Sequence, residues 1–167
     1  SGTTAGHIGL AWAWYLISPN FVDGTLETLW PANSVPHPYG EKDLVKAIIL
    51  MTDGQFNTMY DKGIPSEDSH SYSGTTSVRT TNDSPLGTSS EQALALCTEI
   101  KKSEYKIELF TVGFMINSNS ADDVAARDLL TSCSPDAKHR FFPNAASELD
   151  DAFNSIGKNL SELRISK

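Results

Sequence analysis

The chain has 167 residues, 39% of them hydrophobic and 20% charged, a composition that supports one folded domain and argues against wholesale disorder. Its 13 Lys and Arg against 21 Asp and Glu give a formal charge of −8, which disfavours general binding to nucleic-acid phosphates. No apolar run reaches the roughly 18 residues that a membrane span needs, and no signal peptide opens the chain, so we expect an internal segment of a longer protein.

The first predicted element is an apolar helix. Residues 5–18 are apolar on almost every side when placed on a helix, which is typical of a helix packed inside a core. Thr3 and Thr4 are candidate N-caps, and Pro19 prevents the helix from continuing. We expect His7, within this helix, to be buried with a hydrogen-bond partner rather than to bind a metal.

Three apolar runs further along the chain predict strands. Residues 46–52 form a short continuous run that predicts a strand buried on both faces, as in a parallel sheet. Residues 106–114 predict the next strand, and residues 140–142 predict a short third one. Three strands make a thin sheet, so we expect a further strand upstream of Ser1.

Helical periodicity accompanies these strands. Three segments show it, each with a serine that can act as its N-cap: residues 89–104 (Ser89 or Ser90), 121–132 (Ser120) and 147–163 (Ser147). The alternation of strands and helices predicts an α/β fold with a parallel sheet.

The residues that could bind a ligand lie where the first predicted strand ends. Asp53 and Gly54 follow that strand directly, and ligands of open α/β sheets bind outside the carboxyl ends of strands. A carboxylate there can hold a hard cation such as Mg²⁺, although an Asp in this place also serves as a turn former. The hydroxyl of Thr3 is a second candidate ligand, with N-capping as its alternative role. We therefore predict that Thr3 and Asp53 meet at one crevice.

A long polar insertion separates the first strand from the next helix. Residues 55–90 far exceed the common connection length of about 4–6 residues. Seven of its side chains could form a binding surface: Tyr60, Asp61, Glu67, Asp68, His70, Tyr72 and Asp83. The alternative is a mobile, solvated insertion without a function.

The sequence offers little support for an enzyme. No Ser/His/Asp nucleophile arrangement and no glycine-rich phosphate loop can be recognised. The later strand ends, at residues 113–116 and 142–144, bring no carboxylate beside Asp53. A Mg²⁺-dependent hydrolase or phosphotransferase using Asp53 is therefore the alternative to a non-enzymatic binding domain, and a scaffold with a vestigial metal site is the third hypothesis.

Five blocks of sequence stand out together: GTTAGHIGLAWAWYLISP at 2–19, KAIILMTDGQFNTMYD at 46–61, LCTEIKKSEYKIELFTVGF at 96–114, LLTSCSP at 129–135 and ELDDAFNSIGKNLSELRISK at 148–167. They resemble the C-terminal portion of a von Willebrand factor A domain, in the variant found in TadG-like proteins of the tight-adherence (Flp) pilus-assembly system. The resemblance implies a partial Rossmann-like three-layer αβα sandwich with a mostly parallel sheet, whose N-terminal strands are missing. Residues 1–167 would form a single domain with its long insertion at about 55–90.

The resemblance also implies a metal-ion-dependent adhesion site. In that family an Asp-x-Ser-x-Ser loop after the first strand and one Thr and one Asp from later loops converge on a divalent cation. Thr3 and Asp53 match the Thr and the Asp, while no Asp-x-Ser-x-Ser string occurs here; we expect it to precede Ser1. The complete domain would then bind Mg²⁺, Mn²⁺ or Ca²⁺, and the two ligands in this chain would bind it weakly or not at all.

Function and location follow from the same resemblance. It implies a non-enzymatic adhesion or protein-interaction domain of a bacterial pilus-assembly protein, on the periplasmic or extracellular side of the cell envelope, in a longer membrane-anchored protein. A disulfide between Cys97 and Cys133 would persist there, with two buried thiols as the alternative. We expect the strand at 46–52 to have a free edge that pairs with a second copy, giving a homodimer, or is covered by residues 1–20.

Overall fold

The computed structural model describes residues 4–21, 35–69, 79–117 and 119–165. Within these ranges the elements are, in chain order, α1 (Gly6–Ile17), β1 (Lys46–Thr52), β2 (Tyr60–Asp61), β3 (Ile64–Pro65), α2 (Ser89–Ile100), β4 (Ile107–Gly113), α3 (Ala121–Cys133), a 3-10 turn (Ala137–His139), β5 (Arg140–Phe141) and α4 (Ala146–Ile165). None of these helices is long and apolar enough to cross a membrane.

The main sheet has three parallel strands in the order β1-β4-β5, with β4 in the middle. The register of β1 on β4 runs from the pair Lys46 and Ile107 to the pair Thr52 and Gly113. The prediction of an α/β fold with a parallel sheet is therefore confirmed. The arrangement is compatible with a Rossmann-like αβα fold.

One face of the sheet carries the larger core, which is covered by α1, α2 and α3. The buried apolar residues of this core are Leu10, Ile48, Leu50, Phe56, Ala93, Cys97, Ile100, Ile107, Leu109, Ile116, Ala126, Leu129, Leu130 and Cys133. Within it, Cys97 of α2 and Cys133 of α3 form a disulfide, with their Cα atoms 5.1 Å apart. The bridge fixes the seam between two helices that pack on the same face.

The opposite face of the sheet is covered only in part. Phe110 and Val112 of β4 are buried against Ile156 of α4. Their neighbours in register on β1, Ile49 and Met51, are 41% and 44% exposed. The prediction that β1 is buried on both faces is wrong at these two residues, because α4 lies over β4 and β5 and leaves β1 uncovered.

The prediction that α1 is buried all round is also wrong. His7 and Leu10 face the interior. The exposed large side chains of this helix are Ile8, Trp12, Tyr15 and Leu16. An apolar composition alone therefore did not indicate how much of the helix the rest of the chain covers.

Of the N-caps predicted for the four helices, only that of α3 is confirmed. Ser120 caps α3 by accepting a hydrogen bond from the Asp123 N–H, as predicted. The N-cap of α1 is Ala5 without a side-chain hydrogen bond, and that of α2 is Thr88, which forms a capping box with Glu91. Three predicted caps lie inside the helices instead: Ser89, Ser90 and Ser147.

The described part of the 55–90 insertion is folded rather than loosely solvated. Ser66, fully buried, and Ser69 bind the backbone of Met59, whose N–H donates to Ser69 Oγ at 2.8 Å. Asp68 accepts the Ser84 N–H at 3.0 Å and thereby joins the described parts of the insertion before residue 70 and after residue 78. The predicted binding residues His70 and Tyr72 lie outside the described residues.

His7 is buried with a partner, which confirms its predicted structural role. Its side chain lies between α1 and α2, with Nδ1 2.6 Å from the Ser89 hydroxyl. Burial lowers the pKa of His7 below its usual value, because the charged imidazolium loses its hydration. The folded state therefore favours the neutral ring.

This burial predicts a loss of stability in mild acid. Because the pKa of His7 is lower in the folded state, its contribution is complete above the unfolded pKa of about 6.5 and is lost as the pH falls towards the folded value, by at most about 1.4 kcal/mol per pH unit. Urea unfolding at pH 7.5 and 5.5 should show a smaller pH dependence for His7→Gln than for the wild type. The control His37→Gln removes an exposed histidine, and an equal effect of both substitutions would contradict the assignment.

Candidate functional site

A polar crevice lies at the carboxyl end of the parallel sheet. It encloses about 250 Å³ and combines three parts of the chain: Thr4 just ahead of α1, the segment after β1 and the start of α3. Its lining consists of Thr4, Asp53, Gly54, Gln55, Asn57, Ser120, Asp122 and Asp123. This is the edge at which ligands of open α/β sheets bind.

Backbone hydrogen bonds bring the start of the chain to this edge. The Thr4 C=O accepts the N–H groups of Asn57 and Thr58 at 3.0 and 3.2 Å, and the Thr4 N–H donates to Asn57 Oδ1 at 2.8 Å. The Phe56 ring lies so close to the start of α1 that position 6 requires glycine, since a Cβ there would lie 2.1 Å from the ring. Thr4 is thus held beside the turn after β1 rather than used as a helix cap.

Asp53 occupies a turn that its neighbours close. The Thr52 hydroxyl donates to the Gly54 C=O at 2.8 Å and accepts the Gly54 N–H at 3.3 Å. Thr52 is buried, whereas Asp53 is exposed and lines the crevice. The structure therefore places Asp53 where the sequence predicted it, while its predicted partner Thr3 lies outside the described residues.

The crevice contains two further carboxylates, which the residues at the strand ends did not predict. Asp122 and Asp123 belong to the first turn of α3, whose N-cap is Ser120. Because β1 and β4 are parallel, the helix that follows β4 begins at the same edge as the turn after β1. The Ser120 capping signal was visible in the sequence, and it could have directed attention to these acids.

The lining suits a positively charged ligand. It contains three carboxylates and no Lys, Arg or His. Carboxylate, hydroxyl and amide oxygens are the donors that hard cations prefer. However, no group of three or more His, Cys, Asp or Glu residues within the described ranges has the arrangement to hold a metal ion. The donor chemistry fits a divalent cation, but the described residues alone do not form a cation site.

No protein-family model, curated protein or solved structure matches this chain.

Proposed function

We propose that this chain is a protein-interaction domain of the von Willebrand A type, which binds its partner at the carboxyl edge of the sheet through a divalent cation. The observation that carries the proposal is the crevice itself. Thr4, next to the predicted ligand Thr3, lines it together with Asp53, and Asp122 and Asp123 add negative charge.

The cation would be Mg²⁺, with Mn²⁺ or Ca²⁺ as substitutes. Asp53 would ligate it directly or through water, the hydroxyl of Thr3 would contribute a second oxygen, and a side chain of the partner would complete the shell. Mg²⁺ gives up its bound water reluctantly. Two protein ligands therefore hold it only weakly. This chain alone therefore provides a negatively charged surface for the cation rather than a high-affinity cation site.

The proposed setting is the bacterial cell envelope, on its periplasmic or extracellular side. The disulfide between Cys97 and Cys133 supports it, because such bonds persist in oxidising compartments. The partner would be a protein of the pilus-assembly or adhesion machinery, and the chain would belong to a longer, membrane-anchored protein. The net charge of −8 argues against nucleic acid as the partner.

Titration with Mn²⁺, followed by NMR, tests the cation site. We expect a dissociation constant above about 1 mM, because Mg²⁺-like ions need more ligands than this crevice offers. Paramagnetic broadening should be strongest for the amides of Thr4, Asp53 and Asp123. Asp53→Asn should remove this pattern, since it replaces the proposed carboxylate ligand by a neutral amide.

The matched control is Asp150→Asn, which removes an exposed carboxylate from α4 on the other side of the sheet. It should leave the broadening unchanged. Sub-millimolar affinity, or a broadening pattern that Asp53→Asn does not alter, would refute the weak site at Asp53.

A Mg²⁺-dependent hydrolase or phosphotransferase is the second candidate. The observation in its favour is that Asp122 and Asp123 join Asp53 in one crevice, which supplies the further carboxylates that the strand ends lack. Hydrolysis of p-nitrophenyl phosphate that requires Mg²⁺ and disappears in Asp53→Ala would support this activity over pure binding.

A further inference from the structure

The peptide bond between Asp53 and Gly54 has a chemical reactivity that the proposed function does not use. In an Asp–Gly pair the Gly nitrogen can bond to the side-chain carbonyl carbon of the Asp, because glycine has no Cβ to hinder the approach. The OH of the protonated carboxyl group leaves with the proton of the Gly N–H as water, and a five-membered succinimide ring forms. Water then opens the ring at one of its two carbonyls. Opening at the side-chain carbonyl restores Asp, whereas opening at the main-chain carbonyl gives isoaspartate, whose backbone runs through the former side chain.

The surroundings of Asp53 leave room for this reaction. Asp53 is exposed and lines the crevice, so water reaches its carboxyl group. A Cβ placed on Gly54 would meet no atom of the described chain within 4 Å. Both residues follow β1 rather than belong to it. Steric crowding therefore does not protect this bond.

The Thr52 hydroxyl restrains the Gly54 peptide group instead. It accepts the Gly54 N–H at 3.3 Å and donates to the Gly54 C=O at 2.8 Å, a local turn that threonine side chains favour. Ring closure consumes the N–H proton and rotates the Gly54 nitrogen towards the Asp53 side chain. Both hydrogen bonds to Thr52 therefore have to break before the succinimide can form.

The residues on either side hold this turn in place. Thr52 is the last residue of β1, its side chain is buried, and its C=O accepts the Phe114 N–H at 2.9 Å. Beyond Gly54, Phe56 is buried and the Asn57 N–H donates to the Thr4 C=O. Because the turn is tied at both ends, the smallest opening that frees the Gly54 nitrogen is the loss of the Thr52 bridge.

We propose that the Asp53–Gly54 bond is a site of isoaspartate formation and that the Thr52 hydroxyl sets its rate. The bond is protected in the folded chain and reacts whenever the Thr52 bridge opens. This inference goes beyond the proposed function, because it needs neither a cation nor a partner in the crevice. Thr52 acts through the Gly54 peptide group and is thus a positioning residue.

Isomerisation would change the crevice. Isoaspartate adds a methylene group to the backbone and replaces the Asp53 side-chain carboxylate by one attached directly to the Cα atom. If the proposed function is correct, the altered chain would lose the cation ligand at this position. That consequence rests on the proposed function, whereas the rate of isomerisation does not.

The rate is measured by incubating the protein for several weeks in neutral buffer with EDTA, so that the outcome is independent of the cation site. Trypsin then releases residues 47–62 as one peptide, and its isoaspartate form is separated by chromatography and identified by electron-transfer fragmentation. The same incubation in guanidinium chloride gives the rate of the unfolded chain. We expect the bond to react at least about tenfold more slowly in the folded protein, because the reaction needs a local opening.

Two substitutions of Thr52 test its hydroxyl, each compared with its own unfolded rate. Thr52→Val keeps the shape of the side chain but removes both hydrogen bonds, and it should speed up the folded reaction about fivefold, the factor that one ordinary hydrogen bond contributes to an equilibrium. Thr52→Ser retains a hydroxyl and should stay within about twofold of the wild type.

Ile156→Val is the matched control for global stability. It trims a buried residue beneath α4, on the other face of the sheet, and weakens the fold by an amount similar to the loss of one hydrogen bond. The Asp53 rate should not change in this variant. The proposal would be overturned by equal rates in folded and unfolded wild type, by an unchanged rate in Thr52→Val, by a Thr52→Ser rate as high as that of Thr52→Val, or by an equal acceleration in Ile156→Val, which would assign the protection to global unfolding.

Discussion

Replacing Phe110 with alanine is expected to lower the free energy of unfolding by about 3–5 kcal/mol. Phe110 is fully buried on β4, the central strand, and packs with Val112 and Ile156 in the core beneath α4. Its ring also lies 4.7 Å from the His139 ring. Because β4 is hydrogen-bonded on both sides, it cannot shift to fill the cavity. Urea denaturation of both proteins measures the difference.

Phe153→Ala is the matched control for this substitution. Phe153 is the same residue type in α4, the helix that covers Phe110, but 41% of it is exposed. Its removal should cost much less, about 1 kcal/mol, since less apolar surface leaves the interior. If both alanine variants unfolded at the same urea concentration, α4 would not be packed on β4 as the structure describes.

The sequence predicted the long elements well because their signals are local. β1 was predicted from a continuous apolar run of its own residues, and α4 from the helical periodicity of its apolar residues. The start of α2, in contrast, depends on a contact with a residue that is far away in the sequence. Thr88 is followed three residues later by Glu91, and Ser89 by Gln92, so both fit a capping box. The Ser89 hydroxyl binds His7, which is 82 positions away, and this leaves Thr88 as the cap.

Exposure was the property that the sequence predicted least well. Ile49 and Met51 belong to an apolar run, and nothing within that run indicates that α4 covers β4 and not β1. The same limit applies to Trp12 in α1. The hydrophobicity of a residue indicates whether its burial is favourable, whereas its actual burial depends on which other elements cover it.

The candidate site was predictable in part for a related reason. Asp53 directly follows the apolar strand β1, so the rule for strand ends placed it at the carboxyl edge. Asp122 and Asp123 reach the same crevice through the loop between β4 and α3, whose path depends on tertiary packing. Residues of a helix start that a preceding loop brings to this edge are therefore the ones that single-sequence reasoning misses.

Replacing both Cys97 and Cys133 with alanine is expected to lower the free energy of unfolding by about 3–4 kcal/mol. The bridge spans 36 positions of sequence, so its loss lets the unfolded chain explore many more conformations. Both side chains are fully buried in the larger core, where they join α2 to α3. Urea denaturation without reductant measures the effect.

Reduced wild-type protein separates the cross-link from the packing of the sulfur atoms. Unfolding in the presence of dithiothreitol should shift the wild-type midpoint most of the way to that of the double variant, because the thiols still fill the core while the bridge is gone. The double variant itself should be insensitive to dithiothreitol. If the reductant left the wild-type midpoint unchanged under conditions that unfold and refold the chain, the cysteines would be buried thiols in solution. The proposed placement in an oxidising compartment would then lose its structural support.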